Sequence, residues 1–354
     1  MNYKVLILTV LLGILSCVDK PVHTETAPYF PPINSGVWET MSMADAGYNT
    51  AHLADLVSYL EEKGTKGFIV LKNGRIVIEQ YLNGHSQNAN WYWASAGKTL
   101  TALTVGIAQQ EGYLSIEDKT SDYLGNAWTN ETLTQENRIT ITHQLTMTTG
   151  LNDLIFSCTD PVCLQYKADA GTRWAYHNAP YTLLQDVVTQ AVSQDFKDYF
   201  NEKIRDRIGM DGVWFQSGYN SVYWSTTRSM ARFGLLILNQ AKWNTTPILN
   251  DMNYYQAMLN TSQNYNPSYG YLWWLNGKNS YMLPQSQISF QSELIPTAPT
   301  DLIAALGKND QKIYVVPSQN LVIVRMGESA QEEELSVSGF DTVLWQKINA
   351  VINN

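Results

Sequence analysis

The sequence predicts an α/β protein of the α+β type, with one antiparallel sheet built from both ends of the chain and a mainly helical lobe inserted between its strands. Short β-rich runs broken by turn residues lie near both termini, and the segment between them has helical periodicity. Hydrophobic residues make up 44% of the chain, which is enough for a sizeable core. We therefore predict one domain over residues 46–354, with the helical lobe at about 95–290.

The first 17 residues have the layout of a secretory signal, with Lys4 before an apolar run. The run from Val5 to Leu15 is too short for a transmembrane helix, which needs about 20 apolar residues. Its Ile-Leu-Ser-Cys ending resembles a bacterial lipoprotein box, in which Cys17 would be lipidated after cleavage, and plain cleavage is the alternative. We expect an exported protein, periplasmic or tethered at the outer membrane of a bacterium.

The N-terminal elements follow an irregular segment. Residues 18–45 are rich in Pro, Thr, Ser and Asn and predict a tether and a lead-in. Helical spacing over 48–62 ends at Gly64, which predicts a helix with a glycine stop. The pair Asn73-Gly74 lies between two β-rich runs, a pattern typical of a hairpin.

The C-terminal elements complete the predicted sheet. Three β-branched runs, DLIAALG, KIYVVP and NLVIVRMG, are separated by turn residues, and a helical pattern from 340 to 352 closes the chain. Because strands lie at both ends and helices between them, a cleft is expected where the two parts meet.

Charge and cysteine content limit the partners. The net charge of −9 and the pI near 5.1 argue against nucleic-acid binding, which needs a basic face. None of the five histidines forms a metal-binding pair at helical spacing, so we expect no metal and no organic cofactor. Cys158 and Cys163 could close a small disulfide loop in an oxidising compartment, with two free thiols as the alternative.

A serine and a lysine at helical spacing are the first catalytic candidates. Ser95 lies where an aromatic segment gives way to a helical pattern, and Lys98 follows three residues later on the same face. A lysine can activate a serine only if burial or a nearby positive charge lowers its pKa, and the aromatic residues 91–93 are candidates for that burial. An ordinary helix start has the same spacing, so this pair alone is weak evidence.

A second candidate segment is Tyr176-His177-Asn178, before a helix predicted to start near Pro180. Alternate residues of an extended segment point the same way, so Tyr176 and Asn178 are expected to face one cleft while His177 faces away. A phenolate of lowered pKa beside lysine ammonium groups could exchange the serine proton, and Asn178 could donate to a substrate carbonyl. A buried Tyr with a loop-capping Asn is the structural alternative.

The third candidate segment begins at Gly307 and Lys308, beside a C-terminal strand. A glycine permits close backbone approach, and a following N–H could form an oxyanion hole together with the N–H of Ser95. Lys308 would add charge for a substrate carboxylate, although a lysine in a strand-edge loop is more commonly solvated. The segment around Ser95 carries only the second glycine of a nucleophile elbow, so an α/β-hydrolase triad is disfavoured.

Together the three segments resemble the serine β-lactamase and penicillin-binding-protein superfamily, particularly its class C-like branch with related esterases and amide hydrolases. The resemblance covers about residues 48–354 and depends on three motifs in order: Ser95-Ala96-Gly97-Lys98, Tyr176-His177-Asn178 and Lys308-Asn309-Asp310. It implies a β-lactamase/transpeptidase-like fold, acylation of Ser95, proton transfer by Lys98 and Tyr176, and substrate positioning by Asn178.

The third motif departs from the Lys-Thr-Gly form that the resemblance predicts. Asn309 and Asp310 replace the small hydroxyl residue and the glycine, and a carboxylate at 310 would repel a substrate carboxylate. The sequence therefore predicts a serine hydrolase for a small ester, amide or peptide, in which efficient β-lactam hydrolysis is doubtful. A binding or sensor module that is acylated but does not turn over is the competing hypothesis.

Overall fold

A computed structural model of the chain describes residues 28–155, 157–330 and 339–353. The predicted signal segment, Cys17 and the first part of the predicted tether lie outside these residues. Among the described residues, no helix is both long enough and apolar enough to cross a membrane.

The described chain alternates helices and short strands. The α-helices are α1 (Leu53–Glu62), α2 (Lys98–Gln110), α3 (Ser121–Leu124), α4 (Leu133–Glu136), α5 (Ile141–Leu145), α6 (Asn178–Val192), α7 (Phe196–Phe200), α8 (Asp206–Ile208), α9 (Thr227–Leu238), α10 (Met252–Met258) and α11 (Gly339–Ile352). The strands are β1 (Thr65–Lys72), β2 (Arg75–Tyr81), β3 (Trp91–Tyr92), β4 (Val213–Ser217), β5 (Asn220–Ser225), β6 (Lys242–Trp243), β7 (Thr246–Pro247), β8 (Trp274–Leu275), β9 (Tyr281–Met282), β10 (Ser289–Phe290), β11 (Ile303–Gly307), β12 (Gln311–Val316) and β13 (Leu321–Gly327).

The main sheet has six antiparallel strands in the order β2-β1-β13-β12-β11-β8. Strands from both ends of the chain are neighbours in it, which confirms the predicted sheet. The hairpin turns at Asn73 and Gly74, whose φ angles of 49° and 78° lie in the left-handed region. The short edge strand β8 comes from the inserted lobe and was not predicted.

Two helical layers cover the main sheet, and strand β12 shows how. Ile313 faces α9, where a Cβ added at Gly234 would lie only 3.2 Å from the Ile313 Cγ2. The next residue, Tyr314, faces α11 and packs its ring 5.4 Å from that of Trp345. Because successive strand residues point to opposite faces, one apolar strand is buried between two helices.

Helix α2 runs through the interior of the molecule. Its side chains from Lys98 to Ala108 are all buried. A helix that is buried on every side lies inside the protein core, and the lysine at its first position is therefore removed from water.

The inserted lobe also contains a second sheet, in the order β3-β5-β4. The prediction of a mainly helical lobe missed it because its strands are short and rich in aromatic residues, which also suit a buried helix. Trp214 and Tyr223 lie side by side in this sheet and are buried in the core. The second sheet adjoins the turn that carries Ser95, so it helps to build the site described next.

Candidate active site

The turn before α2 places Ser95. Residues Ala94–Gly97 form a 3-10 turn that leads directly into the helix. Ala94 has a φ of 47°, a left-handed conformation that alanine rarely adopts, so the backbone is strained immediately before Ser95. Ser95 therefore lies at a helix N-terminus, where backbone N–H groups lack intrahelical partners, as the sequence predicts.

Two sheets hold this turn. From the second sheet, the Tyr223 carbonyl accepts a 2.8 Å hydrogen bond from the Trp93 N–H. From the main sheet, Gly307 at the end of β11 approaches so closely that an added Cβ would lie 2.4 Å from the Trp93 carbonyl oxygen. The predicted close backbone approach at Gly307 is confirmed, because only a residue without a side chain fits there.

Replacing Gly307 with alanine is expected to push β11 away from the Ser95 turn. We expect a stability loss of about 1–3 kcal/mol, as for other overpacked sites, and a larger fractional loss of activity. Chemical denaturation and esterase assays would measure both. Gly36→Ala is the matched control, because an added Cβ there meets nothing within 4 Å. Equal behaviour of the two variants would contradict the proposed contact.

Lys98 and Ser95 are in direct contact. The Lys98 Nζ lies 2.8 Å from the Ser95 Oγ, within hydrogen-bond distance. Lys98 is only 1% exposed, and this burial lowers its pKa well below the ordinary value for lysine. Only the neutral amine of a lysine can accept the serine proton, and a lowered pKa favours that form.

The aromatic rings around Lys98 are not the ones expected from the sequence. Its Nζ lies 4.1 Å from the ring centroid of Tyr181 and 5.0 Å from that of Tyr176. The expected burial by residues 91–93 is wrong: Trp93 packs on Tyr223 instead. The two tyrosines come from the segment at the start of α6, which folds back over α2.

Tyr176 contacts Ser95 through a side-chain hydrogen bond and is buried. Burial raises the pKa of Tyr176 well above that of a free phenol, and the hydrogen bond to Ser95 only partly opposes it. The predicted lowering of the Tyr176 pKa is therefore wrong, because desolvation of a buried phenolate outweighs the hydrogen bond to Ser95. As a neutral phenol, Tyr176 can donate a proton but is a poor base.

Asn178 begins α6, two residues earlier than the helix start predicted near Pro180. It lines a cavity of about 500 Å³ together with Ser95 and Lys308. The Asn178 side chain is hydrogen-bonded to Tyr219, whereas its Oδ1 is buried and has no hydrogen-bond partner in the described part of the chain. The predicted donation from the Asn178 amide to a substrate carbonyl stays a prediction.

The third motif forms a tight turn at the end of β11. Asn309 and Asp310 have φ angles of 59° and 58°, in the left-handed region that Asn and Asp tolerate better than most residues. The Asn309 amide donates a 2.6 Å hydrogen bond to the Tyr92 hydroxyl. Only Lys308 of this motif lines the cavity, and the second oxyanion donor beside it stays a prediction.

Asp310 does not face the cavity, so the expected repulsion of a substrate carboxylate is wrong. Its carboxylate is buried, where Oδ1 lies 3.1 Å from the Lys312 Nζ and Oδ2 accepts a hydrogen bond from the Ala330 N–H. Lys312 also contacts Asp341 of α11 at 2.8 Å. This buried ion cluster fixes the turn that carries Lys308 to the main sheet and to the last helix.

His177 and His143 make structural hydrogen bonds and are not among the described residues that line the cavity. The His177 ring is buried, and its Nε2 lies 3.1 Å from the Ile155 carbonyl oxygen, within hydrogen-bond distance. His143 caps α5 through its Nδ1, which accepts from the Thr140 N–H. Within the described residues, no group of three or more His, Cys, Asp or Glu side chains is placed to hold a metal ion.

A disulfide joins Cys158 and Cys163, as the sequence predicts. The residue before it, Ser157, lines the cavity. The covalent loop therefore lies next to the candidate site.

Sequence reasoning missed several residues of the site. Tyr181 packs against the Lys98 Nζ. The β4–β5 hairpin supplies much of the cavity wall through Phe215, Tyr219, Asn220 and other side chains. The two aromatic and β-branched runs VWFQS and NSVYWS, separated by the two residues Gly218-Tyr219, were the signal that could have revealed the hairpin.

Comparison with solved structures places this fold among known ones. A candidate beta-lactamase from Bacteroides dorei DSM 17855 has 17% identity and a TM-score of 0.67, covering 87% of this chain and 100% of that chain. A candidate 6-aminohexanoate-dimer hydrolase from Bacillus anthracis has 18% identity and a TM-score of 0.67, covering 91% and 88%. A penicillin binding protein from Bacillus halodurans has 18% identity and a TM-score of 0.60, covering 83% and 99%.

These likenesses show the α+β fold shared by beta-lactamases and penicillin-binding proteins. Comparison with curated proteins gave no significant match. The Beta-lactamase family model matches residues 53–341, which is most of the chain, and the chain therefore belongs to the beta-lactamase family.

Proposed function

We propose that this protein is a serine hydrolase that cleaves a small ester, amide or peptide through an acyl-enzyme on Ser95. The observation that carries the proposal is the 2.8 Å contact between the Ser95 Oγ and the buried Lys98 Nζ. A serine beside a desolvated lysine has both a nucleophile and a base whose neutral form burial favours.

In the proposed acylation step, the Lys98 amine takes the Ser95 proton as Oγ bonds to the substrate carbonyl carbon. The Ser95 N–H, together with an N–H next to Gly307, stabilises the oxyanion. As the bond to the leaving group breaks, the Tyr176 phenol protonates the departing oxygen or nitrogen, and Lys98 returns a proton to Tyr176. Water then attacks the acyl-enzyme, releases the acid and restores Ser95.

Asn178 and Lys308 are proposed to position the substrate. Both line the cavity that contains Ser95. The Asn178 side-chain amide suits a substrate carbonyl, and the Lys308 ammonium suits a carboxylate. A peptide-like substrate carries both groups.

Intact-mass measurement after exposure to a fluorophosphonate tests the nucleophile. We expect one adduct on the wild-type protein and none on Ser95→Ala. An unmodified wild type, or an equal adduct on Ser95→Ala, would contradict the proposal. Multiple turnovers of p-nitrophenyl acetate would support an enzyme, whereas a persistent acyl adduct would support the acylated sensor as the alternative function.

Replacing Tyr176 with phenylalanine tests the proton donor. The phenol is lost while the ring over Lys98 stays, so we expect kcat to fall by about 10²–10⁴-fold with little change in stability. The loss should be smaller for p-nitrophenyl esters, whose leaving group needs no proton, than for alkyl esters. Steady-state assays with both substrates measure this difference, and an equal loss for both would contradict the assigned role.

We also propose that the protein is exported and tethered through lipid on Cys17. The apolar run before Cys17 supports export, and the disulfide between Cys158 and Cys163 fits an oxidising compartment. Mass spectrometry of the mature N-terminus tests this proposal. A diacylated cysteine that disappears in Cys17→Ser is expected, and an unprocessed N-terminus would overturn it.

A further inference from the structure

The second sheet presents one continuous apolar face. In its register, Val213 lies opposite Trp224, Phe215 lies opposite Val222, and Trp224 lies opposite Tyr92 on the other side. Directly opposite residues of antiparallel strands point to the same face. We call this set of side chains, Tyr92, Val213, Phe215, Val222 and Trp224, the apolar wall.

The apolar wall is the open face of a sheet whose other face is already buried. Trp214 and Tyr223 on the other face pack into the core. An antiparallel sheet with one buried face normally has a polar face toward water. Here Phe215 is 62% exposed and Val213 is 55% exposed, so apolar side chains stand where polar ones are usual.

The apolar wall is continuous with the candidate active site. Four of its members, all except Val213, line the cavity that contains Ser95. Among the described residues that line this cavity, Lys308 is the charged one, and no carboxylate is present. The cavity therefore suits a molecule that is apolar on one side and neutral or anionic elsewhere, and it disfavours a cation.

We infer that the substrate is an ester or amide with one large apolar substituent, aromatic or aliphatic, that packs against the apolar wall while its carbonyl lies at Ser95. This inference rests on the proposed hydrolase function and narrows its substrate class. Burying the substituent also removes the exposed Phe215 ring from water, so both partners gain from the contact.

A p-nitrophenyl ester series from acetate to hexanoate, with alkyl acetates from methyl to hexyl, tests the inference. We expect kcat/KM to rise by about 2- to 4-fold per methylene in at least one series, as burial of a methylene predicts. Phe215→Ser and Val222→Ser should each flatten that rise. Leu133→Ser is the matched control, because Leu133 is 53% exposed and does not line the cavity.

A binding measurement separates this inference from the proposed catalysis. Calorimetry with Ser95→Ala, which cannot be acylated at that residue, should show tighter binding of p-nitrophenyl hexanoate than of the acetate, and Phe215→Ser should remove the difference. If kcat/KM does not change with chain length in either series and the two esters bind with equal affinity, the inference is overturned, even if p-nitrophenyl acetate is hydrolysed. If the wild type instead binds phosphatidylcholine vesicles, loses that binding in Phe215→Ser and shows no dependence of kcat/KM on chain length, the inference is also overturned. That result would identify the apolar wall as a lipid-contact surface.

Discussion

Replacing Lys98 with methionine is expected to lower the acylation rate by about 10²–10⁴-fold, the usual contribution of a general base. Methionine keeps an unbranched apolar stem but cannot accept the proton from Ser95. Stopped-flow acylation with a chromogenic ester measures the loss. A rate within a few-fold of the wild type would mean that another group activates Ser95.

The pH dependence of the wild type provides a second readout of Lys98. Burial lowers the pKa of Lys98, and only its neutral form can act as base. The acylation rate should therefore fall as the pH drops through this lowered pKa, and the acidic limb should be absent in Lys98→Met. A limb that persists unchanged in the variant would assign it to a different group.

The same substitution is expected to stabilise the protein. Between the lowered pKa of folded Lys98 and its ordinary value of 10.5, the unfolded chain binds one proton more than the folded chain. Wild-type stability therefore decreases as the pH falls from 10.5 to the lowered pKa of Lys98, and Lys98→Met removes that decrease. A higher melting temperature of the variant at pH 7 would also show that its inactivity is not misfolding.

Replacing Lys312 with methionine is expected to give the largest loss of stability. Lys312 is 0% exposed and lies within 3.1 Å of Asp310 and 2.8 Å of Asp341. Removing the cation leaves buried carboxylates without their central charge, which typically costs about 3–5 kcal/mol. Urea unfolding monitored by tryptophan fluorescence measures the loss.

An exposed ion pair supplies the control for Lys312. Lys347 contacts Asp55 at 2.8 Å, but both side chains remain accessible to water. Lys347→Met should change stability by no more than about 1 kcal/mol, because solvent screens such pairs. Similar losses for the two variants would mean that the buried ion cluster has no special role in holding the Lys308 turn.

Local patterns predicted the elements whose signals are complete within a few residues. The hairpin at Asn73-Gly74, the final helix and the disulfide between Cys158 and Cys163 were all expected from spacing and turn chemistry, and the structure contains them. Short aromatic strands carry a weaker signal. The strand at Val213–Ser217 was missed for that reason, and with it the wall of the cavity.

The environment of each site residue could be determined only from the tertiary fold. The sequence predicted that Asp310 is a charge beside the substrate, but a left-handed turn directs its carboxylate into a buried ion cluster. The sequence predicted that Tyr176 is a base beside lysines, but burial raises its pKa. Both differences arise because desolvation depends on neighbours that are distant in the chain.

By itself, the sequence determined which side chains are available for chemistry and that Ser95 and Lys98 share one helical face, because a helix sets that geometry over three residues. The tertiary structure decided that burial lowers the pKa of Lys98 and raises that of Tyr176, and that Lys308 shares a cavity with Ser95. Those properties depend on burial and on contacts between distant segments, which local spacing does not specify.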